Sequence, residues 1–469
     1  MNLIVLNGSP KGSVSVTMQY VHLLEQAFPQ HTFAIHHVAQ KIKKLERDET
    51  AFRDVIEAVR AADGVLWAFP LYYMLVHGGY KRFIELIWER GVQDAFAAQY
   101  AASLTTSIHF YDHTAHNYIH AVSDDLEMRY VDAFAAEMQD MMQKENRERL
   151  IQFGRTFLEA IERQIPTPRR YSPLVPHTFD YQPGEVAQTI DSRGKKIVLI
   201  TDVEPGQHNL QHMIDRFKAS FAHEIETVNL RELDIKGGCL GCLKCGYNNE
   251  CAYEGKDGYI DFFKEQLIPA DILVFAGAIR DRYLSAMWKT FFDRSFFKTH
   301  TPMLIGKQFG WIIAGPLGQT ATLRQTIAAW TQMEHANLTG IVSDEYDSAD
   351  EIDALLQNLA RQLVHHAETG YQKPRDFLGV GGDKIFRDAI WGQLRTVFQA
   401  DHRAYKRMGM YDFPQRNWRV RMVQSVFWLL FKIPGFHREF ARRIKPQMIQ
   451  PYQKILEEAR SDLTEPVPQ

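Results

Sequence analysis

Cysteine is scarce in this chain: there are four in 469 residues, all between Cys239 and Cys251. Four thiols crowded into one short stretch cannot staple a domain together, and in a cytosolic chain such crowding points to a metal or a cluster. No run of eighteen or more apolar residues occurs, so no membrane-spanning helix is expected. Met1-Asn2-Leu3-Ile4-Val5 enters an apolar strand pattern with no charged segment, apolar segment and cleavage site before it. No secretory signal is therefore expected, and the expected location is cytoplasmic. The first glycine-bearing loop fits neither G-x-x-x-x-G-K-[ST] nor G-x-G-x-x-G, which argues against a magnesium-bound nucleoside triphosphate and against a dinucleotide fingerprint. No general acid or base stands out. The net charge is only −3, but the segment from His402 to Lys445 carries eleven Lys or Arg and two acids, leaving −12 on the rest.

What is present is the composition of a globular chain, with 45% apolar and 24% charged residues, long enough for two domains and an additional segment. Leu3–Leu6 is a short continuous apolar run, the pattern of a parallel strand buried on both faces. A helical spacing follows at Val16, Tyr20, Leu23, Leu24 and Ala27, and further buried strands are expected at Val65–Phe69 and Ala101–Leu104. Strands alternating with helices imply a doubly wound parallel sheet. Five prolines between Gln164 and Gly184 then mark a linker.

At Lys195 the pattern restarts. Lys196–Ile200 repeats the first strand at an offset of 194, and Ala270–Phe275 repeats Ala62–Trp67 at an offset of 208. Lys289-Thr290-Phe291 answers Lys81-Arg82-Phe83 at the same offset of 208. The difference is an insertion of fourteen residues, the stretch that holds the cysteines. This self-similarity reads as an internal duplication.

Gly8-Ser9-Pro10-Lys11-Gly12-Ser13-Val14-Ser15-Val16-Thr17 joins the first strand to the first helix, at the edge of the sheet where ligands bind in this architecture. Helix N-terminal amides and the hydroxyls of Ser9, Ser13, Ser15 and Thr17 suit a monophosphate bound without a metal. Ordinary helix capping is the alternative. After the strand Val65–Phe69, the loop Pro70-Leu71-Tyr72-Tyr73-Met74 brings aromatics that can pack on a planar ring or simply close the next helix.

Gly8-Ser9-Pro10 with Ser15-x-Thr17, Pro70-x-Tyr72 and Lys81-x-Phe83 resembles the NADPH-dependent FMN reductase branch of the flavodoxin-like superfamily. The resemblance covers about residues 1–165 and 195–370. It implies that Ser9, Lys11, Ser13, Ser15 and Thr17 hold the FMN phosphate, and that Pro70, Leu71, Tyr72 and Tyr73 line the isoalloxazine. A third loop, Thr105 to His109, would complete the ring site through Thr106, Ser107 and His109. NAD(P)H, or a small electron carrier, is the implied donor.

Cys239-x2-Cys242-x2-Cys245-x5-Cys251 lies on a glycine-containing loop, and thiolates at that spacing can wrap the corners of a cubane. Zinc or idle thiols are the other readings; zinc knuckles more often stand a dozen or more residues apart. The motif resembles that of iron–sulfur flavoproteins, which implies a four-iron, four-sulfur cluster on Cys239, Cys242, Cys245 and Cys251. In that family the cluster lies near the FMN of a neighbouring subunit, so a fused pair would place one cluster beside one flavin. The second half departs from the FMN pattern: Thr201-Asp202-Val203-Glu204 stands opposite Asn7–Pro10, and Ala278 and Arg280 stand opposite Pro70 and Tyr72. Two carboxylates there would repel a phosphate.

The expected organisation is α/β, two tandem flavodoxin-like doubly wound parallel sheets with a helical C-terminal extension. Residues 1–165 are the FMN-binding domain, 166–194 the Pro-rich linker, 195–372 the second domain with the cysteines, and 373–469 a basic aromatic extension. Lys384–Tyr405 is expected to be helical. The extension reads first as a packing arm; contact of apolar Val426–Phe431 and its basic flanks with a membrane surface is the alternative. No nucleic-acid motif is visible, and a homo-oligomer is left open. The expected function is an NAD(P)H-dependent FMN oxidoreductase passing electrons between FMN and an iron–sulfur cluster. The alternatives are a zinc-stapled binding scaffold and a plain quinone or nitro reductase with idle cysteines.

Overall fold

The computed structural model describes residues 1–412 and 418–433, with scattered positions from 435 to 456. Among the described residues ten strands form two parallel sheets. In the first, β1 (Asn2–Asn7), β2 (Thr32–His36), β3 (Gly64–Pro70), β4 (Tyr100–Ser107) and β5 (Arg129–Glu137) stand in the order β2-β1-β3-β4-β5. In the second, β6 (Ile197–Thr201), β7 (Glu226–Asn229), β8 (Ile272–Ala278), β9 (Gln308–Ala314) and β10 (Asn337–Ser343) stand in the order β10-β9-β8-β6-β7. Read from β7, this is the same 2-1-3-4-5 order, the flavodoxin-like winding of a parallel sheet. The central strands are continuous apolar runs because helices cover both faces: β1 is buried from Leu3 onward, and every residue of β6 and β9 is buried.

Among the described residues the helices of nine residues or more are α1 (Val16–Ala27), α2 (Glu49–Arg60), α3 (Gly78–Glu89), α4 (Asp112–Asp125), α5 (Lys144–Glu162), α6 (His208–Ala219), α7 (Ala286–Arg294), α8 (Ala321–Met333), α9 (Ala349–Thr369), α10 (Phe377–Trp391), α11 (Gln399–Arg407) and α12 (Trp418–Leu430). One core packs α1 and α5 on the first sheet, around Val5, Leu24, Leu104 and Phe157. Another packs α6 and α9 on the second, around Leu199, Phe217, Leu356 and Leu363. The stretch 166–196 holds no helix or strand. Tyr181 nevertheless joins the second core, and its hydroxyl donates to Asp353.

Residues 1–408 form one compact unit and 409–469 a second. Within the first unit the two sheets meet through α3 and α7, which pack on each other. The segment 377–407 belongs to this unit. It is not one helix: α10 stops at Gly392 and α11 resumes at Gln399. The bend between them turns Leu394, Val397 and Phe398 toward the cavity described below.

Candidate active site

The loop after β1 is organised by Asn7. Its Oδ1 accepts the Ser9 amide at 2.9 Å, and its Nδ2 donates to the Gly12 carbonyl at 3.2 Å. Ser9 Oγ then accepts the Lys11 amide at 3.2 Å, so the loop is held from inside. Ser15 is the N-cap of α1 and accepts from the Met18 amide at 3.3 Å. The amides at the start of α1 have no intrahelical acceptor, which leaves a donor-rich, positively polarised helix end at this loop.

The Pro70 loop is a two-residue turn closed by Tyr72 N–H to Leu75 O at 2.9 Å and Leu75 N–H to Tyr72 O at 3.0 Å. Its central residues, Tyr73 and Met74, have φ of 39° and 61°, a left-handed backbone that bulky residues seldom adopt. The hydroxyl of Thr114 donates to Met74 O at 2.5 Å and helps hold it there. Burial, with Cys239, Asp293 and Cys242 nearby, keeps the Tyr72 hydroxyl protonated well above its ordinary range.

These loops share one cavity of about 340 Å³. Ser9, Lys11, Ser15, Pro70, Leu71, Tyr72, Tyr73, Thr106 and Ser107 all line it. Three expected residues do not. Ser13 is exposed. Thr17 is buried beneath the loop, where its hydroxyl bonds that of Thr106 at 2.7 Å and ties the first loop to the third. His109 faces a neighbouring cavity with Glu137 and Gln139 and bonds Asp112 at 2.8 Å.

The rest of the wall carries no motif. The part of the chain that carries the second sheet contributes Phe296, His300, Trp330 and Glu334, and the bend between α10 and α11 closes the cavity with Leu394, Val397 and Phe398. Trp330 brings a buried indole N–H that has no partner among the described residues. His300 is fixed: its Nδ1 bonds Asp401 at 2.8 Å, and its ring lies 3.9 Å from that of Phe386. Burial alone would raise the Asp401 carboxyl, but His300 and the hydroxyls of Thr299 and Thr301 more than offset it and hold it below the ordinary value.

The cysteine loop lies against the same cavity. Gly241 and Leu243 line it, and His77, at the start of α3, bonds the loop. His77 Nδ1 accepts the Gly79 amide at 3.0 Å, and Nε2 donates to Cys239 O at 2.9 Å. That pattern is a neutral imidazole, in keeping with burial, which lowers its pKa. All four cysteines line one small pocket with Arg294 and Phe297, and its wall shares Leu243 and Phe296 with the large cavity. Amides of Gly241 and Tyr253 donate to Cys239 Sγ at 3.4 Å and Cys251 Sγ at 3.5 Å. Burial pushes the Cys239 and Cys245 thiols up to about 12. With the side chains as they stand, no three His, Cys, Asp or Glu among the described residues form a metal-ligand set.

The corresponding position in the second sheet is filled by its own charges. Glu204 pairs with Arg231 and with Arg280, the latter at 2.5 Å, and Asp202 accepts from the Ser285 hydroxyl. Burial raises the Asp202 carboxyl.

A family model described as a flavodoxin-like fold matches residues 1–156, the first sheet and its helices. No curated protein matches the chain. Among solved structures, the apo form of NADH:FMN oxidoreductase EmoB is similar at 18% identity, over 33% of this chain and 87% of that one, with a TM-score of 0.29. FerB from Paracoccus denitrificans, a flavoenzyme NAD(P)H:(acceptor) oxidoreductase, is similar at 16% identity over 34% and 97%, with a TM-score of 0.29. General stress protein 14 from Treponema denticola, in complex with FMN, is similar at 14% identity over 34% and 98%, with a TM-score of 0.26.

Proposed function

We propose that the protein is an FMN-dependent NAD(P)H oxidoreductase with its flavin in the 340 Å³ cavity. One observation carries the reading: three loops from the carboxyl edge of the first sheet converge on one largely apolar cavity. The residues fit the group. The Ser9–Ser15 loop offers hydroxyls and the α1 dipole to a phosphate, with Lys11 beside them. The Pro70 turn and the apolar far wall suit a planar ring, and the free Trp330 N–H offers a donor. A flavin bound there would accept hydride and release electrons singly. The chain's own part is to anchor the phosphate, to hold the ring against the rigid Tyr73–Met74 turn, and to keep water out with Phe296, Leu394 and Phe398.

A finer reading, that Cys239, Cys242, Cys245 and Cys251 hold an iron–sulfur cluster, is favoured by the shared wall of Leu243 and Phe296 and by the two amides already aimed at sulfur. A cluster requires the four sulfurs to converge further than they do here. The common strand order of the two sheets supports the view that the chain descends from a duplicated subunit. The test is an absorption spectrum of protein purified without oxygen, with iron and released flavin assayed on the same sample. One flavin per chain with about four irons supports both readings. Flavin without iron leaves a plain flavin reductase, and a colourless zinc protein rejects both.

A further inference from the structure

The exposed face of α12 carries a feature that the oxidoreductase reading does not use. Trp418, Met422, Val426, Leu429 and, in the turn beyond, Ile433 recur at intervals of four, four, three and four, which is one stripe of a helix. Each is more than half exposed. The opposite side of the same helix is engaged: Phe427 and Phe431 pack on Phe436 and Phe440, with ring centroids 4.8 to 6.4 Å apart. No residue of the helix is buried, but one side has aromatic partners in the following turns, whereas the stripe on the other side is more than half exposed along its length.

Cations flank the bare stripe. At 100° per residue Arg419 falls on one side, and Arg421 and Lys432 fall on the other. Lys432 Nζ stands 3.8 Å over the Trp428 ring, a cation–π contact that holds its charge on that flank. The surrounding segment, His402 to Lys445, holds eleven basic residues and two acids. Among the described residues no helix is long and apolar enough to cross a membrane.

We infer that the stripe Trp418–Met422–Val426–Leu429 docks on the surface of an anionic phospholipid bilayer. The apolar side chains enter the boundary between headgroups and acyl chains, Trp418 and Trp428 seat at headgroup depth, and Arg419, Arg421 and Lys432 meet the lipid phosphates and carboxylates. Nucleic acid fits less well, because it offers nothing to cover five exposed apolar side chains on one stripe.

Flotation of the full chain with phosphatidylcholine vesicles, with and without phosphatidylserine, tests this. The expected result is binding to the serine-containing vesicles alone, weakened by salt and accompanied by a blue shift of tryptophan emission. Arg419→Glu, Arg421→Glu and Lys432→Glu together lower the partition by on the order of a hundredfold. Met422→Asp with Leu429→Asp lowers it by at least about tenfold, while Met422→Leu with Leu429→Ile retains it, with melting curves of all variants matching the parent. The inference is overturned if the parent floats with neither vesicle, or if the aspartate pair floats as well as the parent. It is equally overturned if the chain binds single-stranded RNA and no vesicle, or if a second copy covers the stripe, seen as a dimer in sedimentation that the aspartate pair dissolves.

Discussion

Glu85 on α3 and Asp293 on α7 stand 208 residues apart, and each accepts the first-turn amide of the other's helix. Glu85 Oε1 takes the Ala286 N–H at 2.7 Å, and Asp293 Oδ2 takes the Gly78 N–H at 2.7 Å. Each carboxylate also pairs with a buried lysine one turn back on its own helix, Lys81 at 2.8 Å and Lys289 respectively. The interface between α3 and α7 is thus a reciprocal cap, each helix satisfying a first-turn amide of the other.

The two halves of that device are not energetically equal. Lys81 has a second carboxylate, Asp281 at 2.9 Å, which with Glu85 outweighs burial and raises its pKa. Lys289 pairs with Asp293 alone among the described residues, and burial wins, lowering its pKa. Asp293→Ala strands Lys289 and the Gly78 amide and is expected to cost about 3–5 kcal/mol. Glu85→Ala leaves Lys81 paired and is expected to cost about 1–3 kcal/mol. Urea unfolding monitored by circular dichroism reads both; equal small losses would refute the asymmetry.

Gly241 links the cysteine loop to the proposed flavin site through contact alone. Its φ is 62°, and a Cβ there would meet the Tyr72 hydroxyl and, at 2.8 Å, the Lys11 side chain. Gly241→Ala is therefore expected to displace Tyr72 and Lys11 and to weaken flavin binding by about tenfold or more. Gly255 also has a positive φ, but nothing lies near its missing Cβ. Gly255→Ala should leave flavin binding within about twofold of the parent. Titration of flavin-free protein with FMN, followed by fluorescence quenching, compares the two, and equal effects would break the proposed link.

Much of this was legible in the sequence, for physical reasons. Leu3–Leu6, Val65–Phe69 and Lys196–Ile200 read as strands because burial on both faces leaves an unbroken apolar run. Nine of the residues expected at the FMN, from Ser9 to Ser107, line one cavity, because loops at the carboxyl edge of a parallel sheet face a common space there. Thr17 was expected at the phosphate because hydroxyls on a first turn all look alike; only the structure shows it spent on Thr106. Phe296, His300 and Trp330 carried no signal at all, since they reach the cavity only because the elements around the two sheets pack together. Leu394 and Phe398 were hidden because Lys384–Tyr405 reads as one helix, whereas Gly392 ends it and turns those side chains inward.

The cysteines differ in accessibility, and metal-free protein should show it. Cys242 is exposed, whereas burial pushes Cys239 and Cys245 up to about 12. At neutral pH that leaves each on the order of a thousandfold less thiolate than an ordinary cysteine, and alkylation proceeds through the thiolate. Iodoacetamide followed by peptide mass spectrometry should label Cys242 first and Cys239 and Cys245 last. Equal labelling of all four in folded, metal-free protein would contradict the burial seen here.

His116 gives the core beside the first sheet an acid-sensitive element. It lies in the core on α4, and its Nδ1 bonds the Ser103 hydroxyl at 2.7 Å. Burial pushes its pKa down from 6.5 to about 4, so the folded protein holds it neutral where the unfolded chain binds a proton. Its contribution is complete above pH 6.5 and is lost as the pH falls through about 4. The loss amounts to roughly 3 kcal/mol. His116→Gln lacks a titrating group, so its urea midpoint should fall less steeply over that range even though it is lower at pH 8. Parallel pH profiles for the parent and His116→Gln would show that other groups carry the acid sensitivity and that His116 is merely packed.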